Sequence, residues 1–192
     1  MMTTVSSNQR GRIHPHKFTL WVAMGSIIMM FAGLTSAYIV RSNQANWLEF
    51  SLPAIFWYST TVIILSSVVM HLAVKAFKAR ERQRYQLLIT ITAFLGVLFA
   101  ALQYIGFSYL NNHGVKLVGE GSNPSASFLA VITGIHVLHV IGGVIALLVL
   151  FIKAFSSRTK KYSSVSIEIV STYWHFVDVL WIYLFIFFNW MQ

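Results

Sequence analysis

The chain has 192 residues, 57% of them hydrophobic and only 10% charged, and a formal net charge of +9. Average soluble domains are about 25% charged, so this composition excludes an ordinary soluble domain and points to an integral membrane protein. The basic residues sit in short clusters between apolar runs, which argues against a nucleic-acid partner, and the absence of cysteine excludes disulfides, thiolate catalysis, iron–sulfur clusters and c-type haem attachment.

Residues 1–17 form a polar, basic segment without an apolar core and small-residue cleavage site, so no cleaved signal peptide is expected. Residues 18–192 read as one all-α transmembrane domain. A spanning helix needs roughly 20 mostly apolar residues, and five segments qualify: Phe18–Val40, Leu52–Phe77, Tyr85–Leu110, Ser127–Phe155 and Ile167–Trp190. Pro53 falls where a helix tolerates it, near the first turn. Pro124 reads as a loop residue just before the fourth span, with Ser125 or Ser127 as its cap. The stretch from Asn111 to Ser125 reads as a polar, flexible loop.

Lysine and arginine set the orientation. Arg10, Arg12 and Lys17 precede the first span. Lys75, Lys78, Arg80, Arg82 and Arg84 lie between the second and third, and Lys153, Arg158, Lys160 and Lys161 between the fourth and fifth. The other side has only Arg41 and Lys116, twelve against two, which places the N-terminus in the cytoplasm and the C-terminus outside. Lys75, Lys78 and Arg80, with Lys160 and Lys161, are candidate contacts for anionic lipid headgroups. Trp47, Trp57 and Trp190 suit interfacial anchors. Gly96 with Ala100, and Gly142 with Ala146, are small residues that let helices approach closely.

The intramembrane ionisable residues are the candidate functional groups. Glu168 sits at the inner end of the fifth span, where a carboxylate suits the positive N-terminal dipole. Asp178 is ten residues further, about 15 Å along the axis and near mid-bilayer. His175 lies between them in sequence, and His136 and His139 share one face of the fourth span. Counting outward from the short loop joining these antiparallel spans puts His139 near the depth of Asp178 and Leu180, and His136 near that of Tyr183.

A network of His136, His139, His175 and Asp178 is then sterically reasonable. Three uses compete for it: a metal or haem site, a proton or ion path in a stand-alone carrier, and a hydrogen-bonded clasp of the last hairpin. A path needs a chain of acids across the membrane, and spans one to four contain none.

Two longer patterns resemble a known family. Thr133-Gly134-Ile135-His136-Val137-Leu138-His139-Val140-Ile141-Gly142-Gly143 resembles the T-G-x-H-x-x-H-V-x-x-G signature of subunit III of haem–copper terminal oxidases, and Tyr173 to Trp181 resembles its Y-W-H-F-V-D-V-V-W. Glu168 stands six residues before Trp174, as the family glutamate does. Trp21 and Phe31 to Tyr38 resemble a third segment, and Leu65-Ser66-Ser67 and Gln103 are weaker marks. His136, His139, Glu168, Trp174, His175, Asp178 and Trp181 are thus the signature residues of this chain.

The resemblance implies a five-helix form matching the last five of seven helices in larger members. It implies no haem, copper or active site in this chain, with the redox centres in a catalytic subunit I. It further implies bound phospholipid, other oxidase subunits as partners, a supercomplex as possible context, and a bacterial cytoplasmic membrane. Supported functions would be assembly, turnover stability and proton uptake by a complex that reduces oxygen and pumps protons. Quinol oxidases and nitric oxide reductases have similar components. The family glutamate after the serine of the first of these helices is Ile27 here, and its H-H-F-G is replaced by Ser163-Ser164-Val165-Ser166. Both departures favour assembly and lipid retention over direct proton transfer.

Overall fold

A computed structural model describes residues 15–43, 47, 52–115, 117, 119, 122–155 and 164–191. Among them run five helices: α1 (Pro15–Ser42), α2 (Ile55–Lys78), α3 (Arg82–Asn112), α4 (Pro124–Phe155) and α5 (Ser164–Trp190). Each is long and apolar enough to cross a membrane. The chain is a multi-pass, all-α membrane protein.

The helix ends follow local chemistry. α4 begins at Pro124 itself, a correction to its reading as a loop residue. Asn123, not Ser125 or Ser127, takes the capping role: its Oδ1 accepts from the Ser125 backbone N–H at 3.1 Å and from the Ser125 hydroxyl at 2.8 Å. Proline suits the position after such a cap, because its missing N–H would have no helical acceptor there. Ser127 instead donates to the Leu117 carbonyl at 3.1 Å, holding the preceding loop.

α2 closes with both reciprocal bonds of a Schellman turn, and α3 with its outer one. In α3 the turn residue is Gly114 at φ +86°, with Val115 N–H reaching Leu110 O at 3.1 Å. In α2 it is Arg80 at φ +61°, with Glu81 N–H reaching Ala76 O and Arg80 N–H reaching Phe77 O, both at 3.1 Å. A side chain in that left-handed conformation costs roughly 1–2 kcal/mol. Arg80→Gly is therefore expected to stabilise the purified chain by about 1 kcal/mol in detergent unfolding. A loss of stability instead would show that the guanidinium has a partner worth more than the strain.

Packing sets the layout. α2, α3, α4 and α5 form a closed ring in which each helix touches its two neighbours, and α1 lies outside it against α4 and α5 only. Gly106 of α3 admits the start of α2: a Cβ there would stand 2.8 Å from Ile55. At the other end Gln86 of α3 donates to the Ala154 carbonyl at 2.7 Å and Arg82 to the same oxygen at 3.3 Å, satisfying the last turn of α4. The core is aromatic and centres on α5, whose Trp174, Trp181, Leu184 and Phe188 are buried.

Candidate functional site

The signature residues of α5 do not share one environment. Trp174 occupies the centre of the ring. A Cβ on Gly96 of α3 would stand 2.6 Å from its Cη2, and one on Gly143 of α4 would stand 3.0 Å from its Cε3 and Cζ3. The two glycines thus form a slot for the indole, and its Nε1–H donates to the Ser66 hydroxyl of α2 at 3.1 Å. Gly96 was expected as a close-approach residue. On α4 the intimate contact falls on Gly143 rather than Gly142, where an added Cβ would meet only the Tyr173 hydroxyl, at 3.8 Å.

Two turns along α5, the Trp181 Nε1–H donates to the Thr60 hydroxyl of α2 at 3.0 Å. The third bond of this series joins the Ser67 hydroxyl and His175 Nδ1 at 2.6 Å. Hydroxyls inside an apolar span commonly hold neighbouring helices together. Thr60, Ser66 and Ser67 act in that way, and Ser59 extends the pattern to α3 by accepting from Gln103 Nε2 at 3.0 Å.

His136, His139, His175 and Asp178, which depth alone allows to meet, share no hydrogen bond with one another. His136 is fully buried and neither ring nitrogen has a hydrogen-bond partner. Its ring lies in an aromatic box, 5.2 Å from Trp181, 6.2 Å from Phe99 and 6.4 Å from Phe31. His139, one turn away, bonds its own helix through Nδ1 to the Ile135 carbonyl at 2.8 Å and faces Phe31 at 5.9 Å. Tyr173 reaches the backbone, not the ring, of His139, donating to its carbonyl at 3.1 Å.

Asp178 is 2% exposed, with neither carboxylate oxygen in a direct hydrogen bond. The physical reason is azimuth rather than depth. Trp181 lies against His136, so the α4 face of α5 is filled by indole there, and His175 turns to Ser67 of α2. The bonds of Trp174, His175 and Trp181 therefore join α5 to α2, and Tyr173 ties α5 to the α4 backbone.

Glu168 marks the basic end of the bundle. Its Oε2 pairs with Lys17 of α1 at 2.8 Å and its Oε1 lies 4.0 Å from Lys78 of α2. The pair is partly exposed, which limits its contribution to about 1 kcal/mol or less. It nonetheless ties α1 to α5 across a cavity of about 270 Å³. Lys75 projects from the last turn of α2, Arg80 occupies the turn after it, and Lys160 and Lys161 lie outside the described residues. No three histidine, aspartate or glutamate side chains gather as a metal-holding group among the described residues.

Ser66, Ser67 and Gly143 entered the sequence reading only within the family resemblance and Lys17 only as an orientation charge; their packing roles, and those of Ser59 and Thr60, come from the structure. The signal for the α2 hydroxyls was present: Ser59, Thr60, Ser66 and Ser67 stand at helical spacing in an otherwise apolar span.

Known proteins give this arrangement a family. The sequence profile described as "Cytochrome c oxidase subunit III" matches residues 48–192, which include all of α2 to α5. The chain is 32% identical over 190 residues to "Probable cytochrome c oxidase subunit 3" of Nocardia farcinica, covering 91% of this chain and 90% of that protein. It is 36% identical over 168 residues to "Cytochrome c oxidase subunit 3" of Synechocystis, covering 82% and 67%. The Corynebacterium diphtheriae protein of that name is 31% identical over 178 residues, covering 86% and 85%. With these matches, over three quarters of the chain in the profile and nearly the whole length of the Nocardia protein, the chain belongs to the cytochrome c oxidase subunit III family.

Proposed function

We propose that this subunit III of an oxidase is an accessory, non-redox component that packs on the catalytic subunit and supports assembly and turnover stability. The observation that carries the reading is how α5 uses its polar signature. Trp174, His175 and Trp181 each bond a hydroxyl of α2, and His136 is enclosed by aromatic rings. These groups serve helix association. Haem and copper belong to partner subunits, and the host membrane is the bacterial cytoplasmic membrane.

Phospholipid retention follows from the charge at one end of the bundle. Lys75 and Lys78 project from the last turn of α2, and Arg80 follows. Each cation near an anionic surface contributes about 1 kcal/mol. Native mass spectrometry of the complex is expected to retain anionic lipid, and Lys75→Gln/Lys78→Gln/Arg80→Gln to release part of it. Equal retention would remove the lipid role.

Asp178→Asn tests the accessory role. Asparagine has nearly the shape of the protonated acid and breaks no direct bond. The complex is expected to keep its haem spectrum and initial rate of oxygen reduction. A collapse of the initial rate with assembly intact would place this chain in the chemistry instead.

A further inference from the structure

α1 packs on α4 and α5 but does not touch α2. Lys17 pairs with Glu168 at the basic end, Phe31 lies against His136 and His139, and the Thr35 and Tyr183 hydroxyls share a hydrogen bond of 3.0 Å. α2 reaches α5 from the other side, where Ser67 bonds His175 at 2.6 Å. A strip of α5 is left uncovered between the two helices. Thr172, Val179, Tyr183 and Ile186 recur along it at helical spacing, and the last three are exposed.

The basic end of this gap is a cavity of about 270 Å³ whose walls include Lys17, Leu20 and Trp21 of α1, Val74 of α2, and Glu168 and Thr172 of α5. Its charges do not balance. Lys17 Nζ stands 2.8 Å from one oxygen of Glu168 and Lys78 Nζ 4.0 Å from the other, so two cations share one carboxylate. One positive charge is left over, and a singly charged anion would neutralise it. Beside the charges the walls turn apolar at Leu20 and Val74. The Trp21 indole is amphipathic, which suits the level where headgroup meets chain.

Pockets for drug-sized molecules begin at about 300 Å³, so the cavity takes a headgroup and leaves the chains to the groove. Tyr183 lies about 16 Å further along α5 than Thr172. Half of a hydrocarbon core about 30 Å thick is nearly the same length. The groove therefore matches the reach of one lipid from the leaflet at the basic end.

We propose that one anionic phospholipid occupies the gap between α1 and α2. Its phosphodiester lies between Lys17 and Lys78 and takes their unbalanced charge. One acyl chain runs over Val179 to Tyr183, whose bond to Thr35 closes the groove. The lipid supplies the link between α1 and α2 that the chain itself lacks. The site shares Lys78 with the headgroup contacts proposed above and rests on that reading for the presence of phospholipid, but it needs neither Lys75 nor Arg80.

Native mass spectrometry of the complex incubated with phosphatidylglycerol in mild detergent tests the headgroup. Lys17→Gln is expected to lower retention about fivefold, the fold-change of one cation at an anionic surface. Glu168→Gln breaks the same ion pair but keeps both cations, and is expected to retain the lipid as well as wild type or better. Lys75→Gln/Arg80→Gln is expected to keep it too. Unchanged retention in Lys17→Gln, or equal loss in Lys17→Gln and Glu168→Gln, overturns the site. Loss in Lys75→Gln/Arg80→Gln without loss in Lys17→Gln also overturns it, and leaves the surface headgroup contacts standing.

Phosphatidylglycerol with a diazirine at mid-chain locates the chain, with adducts mapped by mass spectrometry after photolysis. Val179 of α5 and Leu138 of α4 are 64% and 67% exposed, so bulk lipid would label them alike. Val179 is expected to label several-fold more than Leu138, and to lose that excess in Lys17→Gln. Equal labelling of the two, or an excess at Val179 that survives Lys17→Gln, overturns the groove.

Discussion

Gly96→Leu is expected to drive Trp174 out of the centre of the bundle and destabilise the chain by about 3 kcal/mol, at the upper end of ordinary overpacking. A single added Cβ already stands 2.6 Å from Cη2 of the indole and 3.2 Å from Val144. The ring has no room to retreat, because Gly143 of α4 abuts it on another side and Ser66 fixes its nitrogen. Trp174→Ala removes the same ring and is expected to cost about 3–5 kcal/mol. The double variant distinguishes this contact from general fragility. Leucine at 96 would fill part of the space the indole leaves, so the combined loss should fall well short of the sum. Reversible unfolding of the purified chain in mixed micelles reads all three values, and strict additivity would show that the two positions do not share a slot.

The second large effect belongs to α2. Thr60→Val, Ser66→Ala and Ser67→Ala together strip the partners from Trp181, Trp174 and His175. Interhelical hydrogen bonds in membranes average about 0.6 kcal/mol each and reach about 1.7. The triple variant is therefore expected to lose roughly 2–5 kcal/mol, including the groups left buried and unpaired. His136→Phe provides the contrast. It removes two nitrogens that make no hydrogen bond and leaves a ring in the box of Phe31, Phe99 and Trp181. Its cost is expected within about 1 kcal/mol of zero, because apolar replacement of an unpaired polar group is often neutral or better. Had the α4 histidines clasped α5, the two results would be reversed in size.

That contrast shows where the sequence stops being informative. Five apolar runs of spanning length mark out α1 to α5, since backbone groups in lipid must be satisfied within a helix. The runs place the helices to within a few residues, but Pro124 shows the limit. A proline can end a loop or begin a helix, and the choice rests on whether Asn123 caps it. Depth was also readable, because an antiparallel pair with a short loop fixes level by counting. Gly143 lies level with Trp174 and His136 with Trp181, close to the count from the loop.

Azimuth was not readable. His139 and His175 were expected in one network, yet His139 turns to Phe31 and His175 to Ser67. Which way a helix face turns depends on the size of every neighbour, here on two glycines that admit Trp174 and on Trp181 filling the space beside His136. Lys17 paired with Glu168 was hidden for a similar reason. The two residues are 151 positions apart, and only the placement of α1 against α5 brings them together.

The central claim is that this chain serves an oxidase without carrying its redox chemistry. The most direct test is affinity purification of the tagged chain from native membranes in mild detergent, with identification of co-purifying subunits and a haem spectrum before and after the chain is stripped away. The expected result is a catalytic subunit in the eluate with a haem spectrum that stays with it, and a stripped chain free of haem and metal. A chain that elutes alone, or that retains stoichiometric haem or metal once stripped, would contradict the account.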